Sequence, residues 1–278
     1  MIGFASAKIN IGLFVTGKRT DGFHDLESIF WPIDWCDVLE VHRASTPGIQ
    51  LEIMGLPIPS DGKENLITQA YNLVTDHFDI SGVHVRLLKN IPMGAGMGGG
   101  SSDGACMLKM LNEMFKLKIP HAQLLELAAE LGSDCPFFIL NQPAYVSGRG
   151  NQLMAVPETQ NAHPGWHAVI FHPGIHISTK EAFEGVVPKP APFDLTTLLT
   201  EPIQDWGSRI QNDFETETRH RQPAVDQALK LLLEEGAGYA QMTGTGSAVY
   251  GLFAQQSEAL LAQAKGNHQG WKTHVSSL

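Results

Sequence analysis

Residues 91–105 read IPMGAGMGGGSSDGA, and six of these fifteen positions are glycine. Glycine loses more backbone freedom on folding than any other residue, so a run this dense needs a use that offsets its cost. Glycines leave a row of backbone N–H groups accessible. The helical pattern that follows, Ala105, Leu108, Leu111, Met114 and Phe115, would add the partial positive charge of a helix N-terminus. Together these features make an anion cradle suited to a di- or triphosphate. A tight strand-to-helix turn is the plainer alternative, but it needs only one or two glycines.

Familiar phosphate loops fit poorly. Gly94-x-Gly96-x-x-Gly99 matches the dinucleotide fingerprint, yet the following helix leads through FKLKIP into another helix. The nearest acid, Glu113, lies inside the first helix, where the fingerprint needs one at the end of a second parallel strand. No Gly-Lys-Ser/Thr closes the loop, as a Walker A motif requires. A protein-kinase glycine loop would join two strands and be accompanied by HRD and DFG, which are absent.

Other candidates carry less signal alone. Asp134 in LGSDCP follows a helix end and precedes an apolar run, as a solvated loop acid would. Lys8 and Asn10 are two apart on a strand and share a face, although a single lysine is usually exposed. Asn65 can be an early-turn helix residue and Lys89 a strand-end decoration. Phe23-His24 sits in a turn, Phe183 in a helix start, and Thr243-Gly244-Thr245-Gly246-Ser247 between two strands. His172 and His176 are four apart, but in a Pro-Gly turn without a third ligand, so they make no metal site. Cys36, Cys106 and Cys135 form no CxxC pair, which suits a reducing compartment and argues against structural zinc.

The elements that must hold these residues follow from periodicity. Ile9, Ile11, Leu13 and Val15 alternate as a strand, and LESIFWPIDW can pair with it in a hairpin around Asp21-Gly22. Residues 64–78 have helical spacing, Val83, Val85 and Leu87 restore the strand period, and HAQLLELAAELG is a helix closed by Gly132. Residues 156–165 are rich in turn formers, and we place a domain boundary near residue 156. Strands are expected at WHAVIFH, GYAQMT, SAVYGLFA and WKTHVSS, and helices at STKEAFEGV, AVDQALKLLLEEG and SEALLAQAK. Strands and helices are mixed in both halves, an α+β pattern.

Composition narrows the class. With 278 residues, 43% hydrophobic and 17% charged, the chain reads as an ordinary globular protein. Nineteen basic against 29 acidic residues give a formal charge of −10, which makes a broad nucleic-acid surface a poor expectation. The N-terminus reads as a strand and not as a signal peptide, and no apolar run reaches the roughly 18–20 residues of a membrane span. We expect a cytoplasmic protein with no membrane partner.

The segment from Pro92 to Ser102 resembles the phosphate loop of the GHMP small-molecule kinases, and SAKINIGL at 6–13 and MTGTGSAVYGLF at 242–253 fit the same superfamily in the expected order. KRTDGFHDLESIF, LGSDCPFF and NDFE narrow the resemblance to one branch, whose small-molecule acceptor carries cytosine. It implies a two-domain α+β fold with the active site in the cleft between domains, residues 1–156 binding ATP and residues 157–278 contributing to the acceptor site. It implies ATP over Pro92, Met93, Gly94, Ala95, Gly96, Met97, Gly98, Gly99, Gly100, Ser101 and Ser102, with Asn65 and Lys89 by the adenine. Asp134 becomes the catalytic base, Lys8 its partner, and Asn10 an acceptor hydrogen bond. Phe23 and Phe183 become walls around the cytosine and His24 its reader, while Thr243, Gly244, Thr245 and Gly246 line the acceptor region. The branch usually has tyrosine at position 23 and serines at 243 and 245. Mg2+ is expected with ATP, but the serine that holds it in several relatives is Gly100 here, so no metal ligand is assigned. The resemblance leaves the oligomeric state open.

Overall fold

The computed structural model describes all residues except 59–61, 63 and 158–164. The turn-rich stretch expected to mark a domain boundary therefore falls mostly outside the described residues. Two compact units are formed. The first comprises Met1–Ala7, Trp35–Met93 and Gly98–Asn141, and the second Lys8–Asp34, Gly94–Met97 and Gln142–Leu278. Two paired strands, β1 (Ile2–Lys18) and β2 (His24–Arg43), each begin in one unit and end in the other. The expected hairpin is thus present, with a turn closed by Arg19 N–H on Phe23 O at 2.9 Å.

In the first unit β3 (Ile49–Gly55) runs parallel to β4 (Val83–Lys89), with α1 (Leu66–His77) as the crossover. β4 also pairs antiparallel with Val38–Arg43 of β2. Val83, Val85, Leu87 and Lys89 of β4 point inward and are wholly buried or nearly so. The fourth member of this otherwise aliphatic row is a lysine.

Helices α2 (Gly99–Met114), α3 (His121–Leu131) and α4 (Cys135–Leu140) complete this unit, with α1, α3 and α4 all packing on α2. α2 starts six residues before its expected first position. Gly-Gly-Ser-Ser is a poor helix former, but Ser102, Asp103 and Gly104 are buried there, and tertiary packing overrides weak propensity. Gly132 does cap α3, in an extended conformation.

In the second unit, β5 (Ala144–Ser147) and β6 (Gln152–Ala155) form a hairpin that extends from Ser28–Phe30 of β2. β7 (His167–His172), β8 (Tyr239–Met242), β9 (Val249–Phe253) and β10 (Lys272–Ser277) make an antiparallel sheet of order β10-β7-β9-β8. The helices are α5 (Thr179–Glu184), α6 (Glu215–Arg221), α7 (Pro223–Glu234) and α8 (Gln256–His268). Leu13, Val15, Val169, Phe171, Phe214, Leu229, Leu232 and Phe253 share one core. The mixture of sheet and helix is the α+β class read from the sequence.

Candidate functional site

Between β4 and α2 the glycine loop takes a conformation few sequences allow. Gly94, Gly96 and Gly98 all have positive φ, at 64°, 79° and 72°. Between them Ala95 and Met97 are each 1% exposed and peg the loop into the protein. Their carbonyls accept from Ala248 N–H (3.2 Å) and Lys8 N–H (3.1 Å). A Cβ at Gly96 would stand 2.1 Å from the carbonyl oxygen of Thr243, so this glycine is demanded by packing alone.

Gly100 differs. It lies within α2, and a Cβ there would meet only the Met93 methyl, at 3.9 Å. Neither conformation nor neighbours require a glycine at this point, which leaves room for a ligand. Gly98 caps α2 without a side-chain hydrogen bond. The first N–H groups of that helix therefore have no intrahelical acceptors and carry its positive dipole end. Loop and helix start together fit a chain of phosphates.

The segment after β8 is locked to this loop. Thr243 Oγ1 accepts from Asn10 N–H (3.0 Å) and lies within hydrogen-bond reach of Asn10 Oδ1 (3.2 Å) and Gly96 O (3.3 Å). A Cβ at Gly244 would stand 2.9 Å from Gly96 Cα. Thr243, Gly244 and Gly246 are buried and Thr245 is half-buried. Asn212 Nδ2 donates to the carbonyls of Met242 and Gly244, each at 2.8 Å, and Glu215 accepts from Met242 N–H at 2.8 Å. Burial raises the Glu215 carboxyl above its usual range. NDFE thus works as a bracket for the third loop.

Lys8 and Asn10 do share a buried face. Lys8 Nζ donates to Asn10 Oδ1 at 2.5 Å and stands 4.5 Å from the centre of the Phe30 ring. Asn10 Nδ2 donates to Ser28 Oγ at 2.9 Å. Asn10 is therefore a junction between Lys8, Ser28 and Thr243, with its side chain turned toward protein groups. Asp134, in the other unit, is half-buried at the start of α4, and its side chain makes no cap hydrogen bond to that helix.

The aromatic residues are arranged otherwise than expected. His24 and Phe183 stack on each other with centroids 4.8 Å apart and planes 20° from parallel. Phe23 is 52% exposed and lies under the Arg149 guanidinium instead. Position 23 stands apart because its ring follows the turn outward, while His24 is already the first residue of β2. Asn65 Oδ1 caps α1 by accepting from Ile67 N–H at 2.9 Å, which leaves its amide nitrogen uncommitted to the cap. Lys89 has a different neighbourhood from the adenine edge expected for it: its ammonium is buried between Asp37 and Asp103.

Two contacts, of His176 and Ser247, were not anticipated from the sequence. His176 lies on the loop so closely that a Cβ at Gly94 would come within 2.4 Å of its Nδ1. Ser247 Oγ donates to the Ile175 carbonyl and holds the same turn against the third loop. No local pattern signals either contact, since each joins distant segments. Ser102 is buried and Ser101 half-buried. Among the described residues no group of three His, Cys, Asp or Glu is placed to hold a metal ion.

Comparison with known proteins agrees with this geometry. The model for the GHMP kinases N terminal domain matches residues 65–142, and that for GHMP kinases C terminal matches residues 198–270. A 4-diphosphocytidyl-2-C-methyl-D-erythritol kinase of Cytophaga hutchinsonii is 40% identical over 258 residues, 93% of this chain and 94% of its own. One of the same name from Bacteroides thetaiotaomicron is 39% identical over 255 residues, 91% of this chain and 92% of its own. A crystal structure of 4-(cytidine 5'-diphospho)-2C-methyl-D-erythritol kinase superposes with a TM-score of 0.83 at 29% identity, covering 100% of this chain and 98% of the other.

Proposed function

We propose that this chain, which belongs to the GHMP kinases, transfers the terminal phosphoryl group of ATP to the 2-hydroxyl of 4-diphosphocytidyl-2-C-methyl-D-erythritol, a step of non-mevalonate isoprenoid synthesis. The geometric observation that carries the phosphoryl half is the open flank of Gly100 beside the uncapped start of α2. The acceptor is taken from relatives similar along nearly the whole chain.

Phosphoryl transfer asks the protein mainly for positioning and charge neutralisation. Residues 1–156 supply the ATP-binding part. The amides at the start of α2 take phosphate oxygens, and Asn65 offers its amide nitrogen to the adenine. Mg2+ would be held by the phosphates and water, as is common for this ion, and would reduce the charge of the phosphates. Asp134 accepts the proton of the attacking hydroxyl. Lys8, steadied by Asn10, orients that hydroxyl and offsets negative charge. Residues 157–278 add Phe183 and the amides of Thr243–Gly246 for the acceptor. Cytosine stacks on Phe183 by displacing the His24 ring from it, and the displaced His24 reads the edge of the base.

Cys106 and Cys135 are buried free thiols, which supports a reducing, cytoplasmic setting. Among the described residues no helix is long and apolar enough to cross a membrane. The test is ATP-dependent phosphorylation across a panel of alcohols that includes the cytidyl compound and its uridyl analogue. Preference for the cytidyl compound is expected. Equal use of both nucleotides would reduce the assignment to an unspecified GHMP kinase, and ligand binding without turnover would make the protein a silent sensor.

A further inference from the structure

Lys89 is completely buried, and so is Asp37, while the Asp103 side chain is 3% exposed. The ammonium stands 2.5 Å from Asp37 Oδ2 and 2.6 Å from Asp103 Oδ2. Asp37 Oδ1 accepts two backbone N–H groups, Asn90 at 2.6 Å and Ile91 at 2.8 Å. Asp103 Oδ1 has no partner among the described residues.

Lys89 and Asp103 mark the two ends of the glycine loop, and Asp37 lies in β2. Lys89 closes β4, and Asn90 and Ile91 lead from it into the loop. Asp103 lies in the second turn of α2, the helix that leads out. A Cβ at Gly99 would be 3.2 Å from Lys89 Nζ, so the ammonium lies directly against the first residue of that helix. Burying one cation with two carboxylates is a poor way to gain stability, because apolar residues of similar volume often serve as well or better. What ions provide and apolar residues do not is a directional link between fixed points.

We infer that Lys89 is a positioning residue for phosphoryl transfer, tying the strand that enters the loop to the helix that leaves it and so fixing where the loop amides point. The inference rests on reading that loop as the phosphate site. Asp37 accepts from three donors, Lys89 and the backbone N–H groups of Asn90 and Ile91. Burial pushes the Asp103 carboxyl up to about 7, against the pull of Lys89 and reinforced by the charge of Asp37.

The test compares two substitutions of similar size. Asp103→Leu fills the space without the link and leaves Lys89 balanced by Asp37; Asp103→Asn keeps an oxygen for Lys89. Amide hydrogen exchange at residues 94–100 is measured without nucleotide, followed by steady-state kinetics and melting temperature. The Leu variant should exchange faster across the loop. Its KM for ATP should rise roughly tenfold, about 1.4 kcal/mol, with smaller changes in kcat and in KM for the acceptor. The Asn variant should stay near the parent. If Asp103→Leu does not fold, Asp103→Ala is read the same way. A folded Leu or Ala variant with parental loop exchange and parental KM for ATP would overturn the inference. A parent without kinase activity, whose loop exchange still separates the Leu and Asn variants, would instead overturn the proposed reaction while leaving the link in place.

Discussion

The phosphate loop and the aromatic pair His24–Phe183 are held in opposite ways. Around the loop, three left-handed glycines, two buried pegs, a locked neighbouring loop and an ionic link all fix one conformation. Around the aromatic pair, two half-buried rings rest on a turn and on the six-residue helix α5, with Phe214 edge-on to Phe183 at 4.8 Å. The difference matches the two tasks. Neutralising phosphate charge gains from donors that need no rearrangement. A flat base can be gripped by rings that shift to admit it, with binding energy remote from the reacting hydroxyl helping to place that hydroxyl.

The comparison can be broken at its most sensitive point first. Asp134→Asn should lower kcat by about two to four decades with little change in affinity for either substrate, because an amide takes no proton. Wild-type turnover in that variant would remove the general base from the scheme. Next in size is the aromatic pair. Phe183→Ala should cost about 1–3 kcal/mol in kcat/KM for the cytidyl acceptor while sparing ATP, by analogy with base stacking elsewhere. His24→Ala should act in the same direction. Phe23→Ala should do much less, since its ring lies under Arg149. Equal losses at 23 and 183 would mean that the rings regroup around the base.

Gly100→Ala should sharpen the contrast on the phosphate side. The fold has room for the methyl, and alanine in a helix is favoured by about 0.5–1 kcal/mol, so the melting temperature should hold or rise. KM for ATP should nevertheless increase several-fold. Gly96→Val is a different experiment, because its side chain would strike the Thr243 carbonyl and disturb both loops. The smallest effect concerns acidity. Asp103 has a folded pKa near 7, above the unfolded value of 3.8, so the folded state holds the proton more tightly. Its contribution is fully present below about 3.8 and is lost as pH rises toward 7. Asp103→Asn should flatten the stability profile over that window, as read by denaturant unfolding at several pH values.

Legibility in the sequence followed locality. α1, β4 and α3 announced themselves through period, and the glycine loop through composition, because each signal is complete within about fifteen residues. The start of α2 was hidden, since burial and not propensity decides it. The link at Lys89 was hidden more deeply: its partners lie 52 and 14 residues away. Only a lysine closing an inward row of aliphatic residues hinted at it. The resemblance made Phe23 and Phe183 two walls of one pocket, whereas the turn directs the Phe23 ring outward and leaves His24 to stack.

The junction at Asn10 has a consequence for how the protein is made. Its backbone N–H bonds to a side chain 233 residues later, and its carbonyl accepts from Tyr250, 240 residues later. During synthesis the strand bearing Lys8 and Asn10 emerges well before those partners, and about 240 further residues must follow before both exist. Contacts spanning such separations form late, because closing long stretches of chain costs entropy before any bond rewards it. A ribosome can release fragments that contain the glycine loop, but none that ends before Tyr250 can finish this junction. Truncated translation products should therefore remain inactive and dependent on chaperones, even when they carry Lys8, Asp134 and every loop glycine.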